Sequence, residues 1–381
     1  MTTRRSTRVV VVLILIVLVA LAIIGWVFKD NITSWFFTPT ESSVRQGTEK
    51  SSGETVTVTA QNLETPWSIA FMPNGDMLVT ERSGQLQRIG ENGNKYTIDG
   101  VHETSEGGLL GVALHPDFAS NNYLYLYKTT DSNGGISNLI ERYTLQNDQL
   151  SNKRTILSNI PAASNHNGGS IAFGPDDKLY VTTGDTAMAD LAQDKASLAG
   201  KILRLNDDGT IPSDNPFGNA TWSYGHRNPQ GMAWDGEGRL WSVEHGPSGD
   251  SKGRGKDELN LVEKGANYGW PAIAGDETRE GMRAPVAQSG DADTWAPAAI
   301  AYYDGSLYFA GLRGESLYQA KINPDASVAL TRHFTSEYGR LRAVTAQGDM
   351  LYVSTSNRDG RGSSQTDDDK ILKIDPKKLS S

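Results

Sequence analysis

The chain has 381 residues, enough for one large core or two ordinary ones. Its formal net charge of −9 argues against nucleic acid as the main partner, though local charge can still favour a small anionic ligand. With 0 cysteines, disulfide staples, thiolate nucleophiles and thiolate metal sites are excluded. A content of 40 glycines and 15 prolines favours a turn-rich β protein.

The chain opens with a membrane signal. Val9 to Phe28 is an apolar run of about 20 residues, the length that crosses a hydrocarbon core. Arg4, Arg5 and Arg8 precede it. Basic flanks stay in the cytoplasm. Residues 1–28 are therefore expected to be a cytoplasmic stub and a single-pass transmembrane anchor, with the rest of the chain on the extracytoplasmic side of the cell membrane. No clear A-x-A cleavage pattern follows; cleavage would make the protein secreted. Residues 29–54 are rich in Ser, Thr, Gly and charge without an apolar period, and read as a flexible tether.

From Thr55 onward one pattern recurs. "SIAFMPNGDMLVTE", "GVALHPDFASNNYLYLY", "SIAFGPDDKLYVTTGD", "GMAWDGEGRLWSVEHG", "AIAYYDGSLYFAG" and "AVTAQGDMLYVST" each join a short apolar strand, a polar or glycine turn and an alternating strand. That is a β-hairpin written six times. Outer-strand candidates follow several of them: "GQLQRI", "LIERYTL", "GKILRLN", "DELNLV", "SLYQAKI" and "DKILKI". The intervals are irregular, but each is wide enough for a four-stranded blade plus an insertion. The fold expected is all-β, a six-bladed β-propeller occupying 55–381 after the transmembrane helix. A sandwich or β-solenoid is the alternative. "TVTVTA" at Thr55 to Ala60 alternates as a strand should, and could pair near "KILKID" to close the ring.

Polar residues gather at the ends of these strands. His166 lies before the first strand of the third unit and Asp185 after its second. Antiparallel strands return to one side, so imidazole and carboxylate can meet; such a carboxylate orients the ring and suits a general base. A capping histidine and a turn aspartate would look the same in sequence. Arg227 and Asn228 precede Pro229, which forces an extended approach and holds the guanidinium rigidly; it could polarise a carbonyl, hold a carboxylate or form an interblade ion pair. Gly246, Pro247, Asp257, Glu258 and Tyr268 make an oxygen-rich set that suits a hard cation such as calcium, or an ordinary acidic loop. Arg340 and Arg342 share one strand face, and Arg313 ends another strand. They point to a ligand with several carboxylates or phosphates, or to a solvated rim.

Taken together the motifs "TPWSIAFMPNGDMLVTER", "GGLLGVALHPDF", "HNGGSIAFGPD", "GKILRLNDDGTIPSDNPF", "YGHRNPQG", "EHGP", "DELN", "NYGWP", "GRLRAV" and "DDDKIL" resemble the soluble quinoprotein sugar dehydrogenases, the glucose/sorbosone dehydrogenase family. The resemblance covers roughly Thr65 to Ile374. It implies a six-bladed propeller that uses pyrroloquinoline quinone (PQQ) and calcium to oxidise an aldose at the anomeric carbon to the lactone. By position it makes His166 the catalytic base and Asp185 the carboxylate behind it. Arg227 and Asn228 lie beside the reactive quinone carbonyl. Arg313, Arg340 and Arg342 hold the cofactor's carboxylates. Gly246 and Pro247 supply carbonyls to the calcium, and Glu258 and Tyr268 form part of a second, structural calcium site.

Glu106, also beside the cofactor, stands where the glucose-oxidising branch has glutamine, Asn165 where it has aspartate, and Arg313 where lysine is usual. The first two differences bear on glucose preference, and a second carboxylate near PQQ would cost electrostatically unless protonated or paired. The implied partners are an aldose substrate and an external electron acceptor, with a homodimer as one assembly. A calcium-dependent lactonase-like hydrolase and a non-catalytic sugar- or protein-binding propeller are the rival readings.

Overall fold

Short alternating strands bury one face against each neighbour, so these sequences stack as sheets around an axis. The computed structural model describes residues 45–46, 48–49, 55–91, 93–250 and 253–380. Six antiparallel sheets form the blades of a propeller. Blade 1 runs outward through Pro66–Phe71, Met77–Glu81, Gln85–Ile89 and Asn94–Thr97. Blade 2 uses Leu109–Leu114, Tyr123–Ser132, Gly135–Gln146 and Gln149–Pro161; blade 3 uses Ile171–Phe173, Leu179–Thr183, Lys201–Leu205 and Thr221–Tyr224. Blade 4 uses Pro229–Trp234, Leu240–Glu244, Glu258–Val262 and Ala287–Gln288; blade 5 uses Pro297–Tyr303, Ser306–Gly311, Ser316–Ile322 and Val328–His333. Each expected hairpin supplies the two inner strands of one blade.

Blade 6 is made from both ends of the domain. Leu341–Gln347, Met350–Thr355 and Ile371–Ile374 are its inner three strands, and Val56–Ala60 is the fourth. The closing pair is antiparallel, with Leu372 opposite Val58 and Ile374 opposite Val56. The closure expected for "TVTVTA" is therefore present.

The core lies between blades. Leu78, Leu109, Val112 and Leu126 fill the space between blades 1 and 2, and Tyr125, Tyr127, Val181 and Leu203 that between blades 2 and 3. Trp241, Trp295, Phe309 and Tyr318 pack blade 4 on blade 5, while Leu317, Leu341, Leu351 and Leu372 pack blade 5 on blade 6. Ile69, Val79, Ala343 and Ile371 seal blade 6 against blade 1. Every residue of the second strands Met77–Glu81, Leu179–Thr183 and Leu240–Glu244 is buried, because both faces of a blade meet a neighbour.

The expected anchor at 9–28 lies outside the described residues; among the described residues no helix is long and apolar enough to cross a membrane. Within the stretch read as a tether, Arg45–Gln46 pair parallel with Thr331 and Arg332 of blade 5, and Thr48–Glu49 pair with Leu379–Ser380.

Leu372 is fully buried in the closing blade. Its replacement by alanine is expected to lower unfolding free energy by about 2–5 kcal/mol, read from urea denaturation, because it opens a cavity between closing strands.

Candidate active site

In blade 3, Ile171 faces Val181 across an antiparallel pair, so the residues flanking the hairpin return to the same edge. His166 and Asp185 meet there: Nδ1 of His166 lies 2.7 Å from Oδ1 of Asp185. Two glycines let the segments approach. Gly168 has φ +63°, and a Cβ there would strike the Thr182 backbone; a Cβ on Gly184 would overlap the His166 carbonyl. Asp185 is buried and well supplied with donors. Its Oδ1 also accepts the Ala187 N–H at 2.9 Å, and its Oδ2 accepts the Trp270 indole N–H at 2.7 Å. Burial pushes its acidity down, but the hydrogen bond and charge of His166 outweigh this and hold the carboxyl below its ordinary pKa. An ionised Asp185 is an acceptor, so Nδ1 of His166 carries the proton and Nε2 is the basic nitrogen.

Arg227 follows on the next blade edge. Its backbone N–H donates to Glu244 at 2.7 Å and its carbonyl accepts the Asp185 N–H at 2.7 Å. The guanidinium lies 5.3 Å over the Trp270 ring and donates to the His245 carbonyl at 3.4 Å. Trp270 thus touches both the carboxylate behind His166 and the arginine. Asn228 Oδ1 accepts the Gly168 N–H at 3.1 Å, while its buried Nδ2 has no hydrogen-bond partner among the described residues.

The remaining arginines enter from blades 5 and 6. Arg340 is buried and paired with Asp359 at 2.8 Å, and it donates to the Leu312 carbonyl at 3.1 Å. Arg342 donates to Gln230 at 3.2 Å and lies 5.5 Å over Trp67. Burial pulls its pKa down to about 9, against the pull of Asp359. Burial, with Arg254 and Arg340 nearby, also lowers that of Arg313. The buried Nε atoms of Arg342 and Arg313 have no hydrogen-bond partner among the described residues. Nor does Nε2 of His245, whose pKa burial pulls down to about 4, so the ring is neutral at neutral pH.

Glu106 joins the same neighbourhood. Its Oε2 accepts the His166 backbone N–H at 2.9 Å, and its Oε1 accepts from Arg361 at 3.0 Å. Burial raises its pKa, but Arg361, His245 and His166 overcome that and take it down to about 2. The expected electrostatic cost of a second carboxylate is met by this ion pair.

A family profile described as Glucose / Sorbosone dehydrogenase matches residues 63–366. The chain belongs to that family. The aldose sugar dehydrogenase YliI of Escherichia coli K12 is 32% identical over 359 residues, covering 84% of this chain and 93% of that one. Quinoprotein glucose dehydrogenase B of Acinetobacter calcoaceticus is 36% identical over 256 residues, which is 57% of this chain and only 52% of that protein's length. The solved PQQ-bound aldose sugar dehydrogenase of Streptomyces coelicolor superposes with a TM-score of 0.79 at 41% identity, covering 87% of this chain and 98% of that one.

The side chains of Glu258 and Tyr268, expected at a second metal site, each have protein partners. Tyr268 donates its hydroxyl to the Leu261 carbonyl at 2.5 Å and stacks on His226. Glu258 accepts from Gly275 and Asn260, and burial beside Glu244 pushes it up to about 8. Among the described residues no group of three or more His, Asp or Glu is arranged to hold a metal ion. Gly246 and Pro247 are buried; the Gly246 N–H donates to Asp257, whose other oxygen accepts from Thr294, Trp295 and Ala296. Asp257 therefore organises the loop.

Sequence reasoning missed Trp67, Gln230, His245, Trp270 and Arg361. His245 was within sight, since it heads "HGP" beside Gly246. Arg361 carried no signal, because its partner Glu106 is 255 residues away.

The lowered pKa of Glu106 has a consequence for acid stability. The folded value of about 2 lies below the ordinary 4.5, so its contribution is fully present above 4.5 and is lost as pH falls towards 2. Glu106→Gln is expected to remove that component: denaturant unfolding should fall less steeply with acid across this window than in the wild type. Parallel curves would contradict the ion pair.

Proposed function

We propose that this protein oxidises the anomeric carbon of an aldose to the lactone, using PQQ and calcium. The observation that supports this is the meeting of a His166–Asp185 base with buried, unpartnered donors on Asn228, Arg342 and Arg313. Such donors cost free energy unless a ligand accepts from them. An anionic, oxygen-rich cofactor fits that set: Arg342 and Arg313 would hold its carboxylates, while Arg340, already neutralised by Asp359, fixes the strand. The buried Gly246–Pro247 pair carries carbonyl oxygens, the ligand type that calcium prefers. PQQ, when bound, supplies the hydride-accepting quinone.

The chain's own residues do the rest. Nε2 of His166 takes the proton of the anomeric hydroxyl, and Asp185 holds the Nδ1 proton and stabilises the cation formed. Arg227, held by Glu244 and stacked on Trp270, places fixed positive charge where negative charge develops. The arginine cluster distinguishes this reading from a calcium-dependent lactonase, whose chemistry does not call for it. The basic-flanked apolar run at 9–28 supports an extracytoplasmic enzyme tethered to the membrane and passing electrons to an external acceptor.

Reconstitution of the full chain with PQQ and calcium, followed by dye reduction over a panel of aldoses, tests the proposal. His166→Ala is expected to lose about 10²–10⁴-fold in kcat. No dye reduction with any aldose, or an unimpaired His166→Ala, would overturn it.

A further inference from the structure

Arg361 lies on the segment between the second and third strands of blade 6, far in sequence from the base. Its Nη1 donates to Glu106 Oε1 at 3.0 Å and its Nη2 to Ser105 Oγ at 2.9 Å. Glu106 in turn accepts the His166 N–H at 2.9 Å through Oε2, and its own N–H donates to the Ser164 carbonyl at 2.9 Å. The loop carrying Arg361 is itself fixed, because Asp359 accepts the Arg361 N–H at 2.9 Å while pairing with Arg340. One short segment therefore braces both a cofactor-side arginine and the backbone of the base.

We propose that Arg361 is a positioning residue for this enzyme: its guanidinium clamps Glu106, and Glu106 clamps the main chain of His166. The proposal rests on His166 being the base. His166 has φ +56°, a left-handed backbone that a side-chain-bearing residue keeps only when its surroundings impose it. The clamp supplies one of those constraints. The groups facing the Glu106 carboxylate are Arg361, His245, His166, the His166 N–H and, from blade 6, Arg342. Removing Arg361 takes away the largest opposing charge, so burial drives the carboxyl upward and protonation weakens its grip on the His166 N–H. Arg361→Gln should thus lower kcat, and lower it further as pH falls, with little change in KM.

The test joins kinetics with amide hydrogen exchange. In the reconstituted enzyme Arg361→Gln is expected to cost about ten- to a hundredfold in kcat, the scale of a small misplacement of a reacting group. It should add an acid limb to the kcat–pH profile. Arg361→Lys should restore most of kcat, and adding Glu106→Gln to Arg361→Gln should abolish the new limb. Arg358→Gln, on the same loop but bonded to the Thr366 carbonyl, should leave kcat and pH profile as in the wild type. In the apoprotein Arg361→Gln should speed exchange of the 164–168 amides. Wild-type kcat and pH profile in Arg361→Gln, or a loss accompanied by unchanged 164–168 exchange, would overturn the proposal. Because exchange is read without cofactor, failure of the sugar oxidation itself shows as an inactive wild type, whereas failure of the clamp shows as unaltered exchange.

Discussion

Closure of the ring is the constraint on which the rest depends. Val56–Ala60 pairs with Ile371–Ile374, so the sixth blade exists only when both ends of the domain arrive. Once it forms, blade 6 packs on blade 1 through Ile69, Val79, Ala343 and Ile371, and no blade is left with a bare face. The inner strands then have fixed positions. A residue at the end of one of them meets residues from blades that are remote in sequence. Arg342 of blade 6 reaching Gln230 of blade 4 is such a contact, at a separation of 112 residues. The site is a product of that geometry, since no single blade holds His166, Asp185 and the arginines together.

Charge is distributed with equal economy of means. The chain carries −9 overall, yet its channel collects arginines. Two are neutralised locally, Arg340 by Asp359 and Arg361 by Glu106. The Arg340–Asp359 pair is buried and the Arg361–Glu106 pair partly so, and each is supplemented by further hydrogen bonds, so they act as braces rather than as isolated surface contacts. Arg342 and Arg313 are different: burial depresses both, and each keeps an Nε without a partner among the described residues. Asp359 and Glu106 oppose the shift at Arg342 and Asp257 opposes it at Arg313, but burial outweighs them at both; this residual cationic character is what the proposed anionic cofactor would meet.

Much of the fold was legible because it rests on local physics. Period-two alternation broken by glycine turns identified six hairpins, and Ile69, Val112, Ile171, Met232, Ile300 and Val344 all fall in innermost strands. The His166–Asp185 contact was legible for the same reason: an antiparallel hairpin must return its ends to one edge. Legibility failed where partners are joined only by the closed ring. Trp270 bonding Asp185 and Arg361 bonding Glu106 cross 85 and 255 residues, and no local pattern encodes them. Tyr268 is a case in which sequence proximity says nothing about where the side chain points. It stands close to Glu258 in sequence, but its hydroxyl turns to Leu261, because the buried phenol needs an acceptor and that carbonyl is at hand.

The backbone of His166 shows how the fold and the chemistry are linked. A left-handed conformation disfavours any residue with a Cβ, and glycine at this position would relieve it. Glycine has no imidazole, so the strain accompanies the placing of an imidazole against Asp185. The structure opposes it at several points. The N–H is held by Glu106, the carbonyl accepts from Thr186 at 3.3 Å, and the ring is held by Asp185. Gly168 and Gly184 clear the space that these contacts require. With main chain and ring both held, the imidazole keeps little conformational freedom. For the proposed base, the ordering cost would thus be met during folding, which is where preorganised catalysis places it.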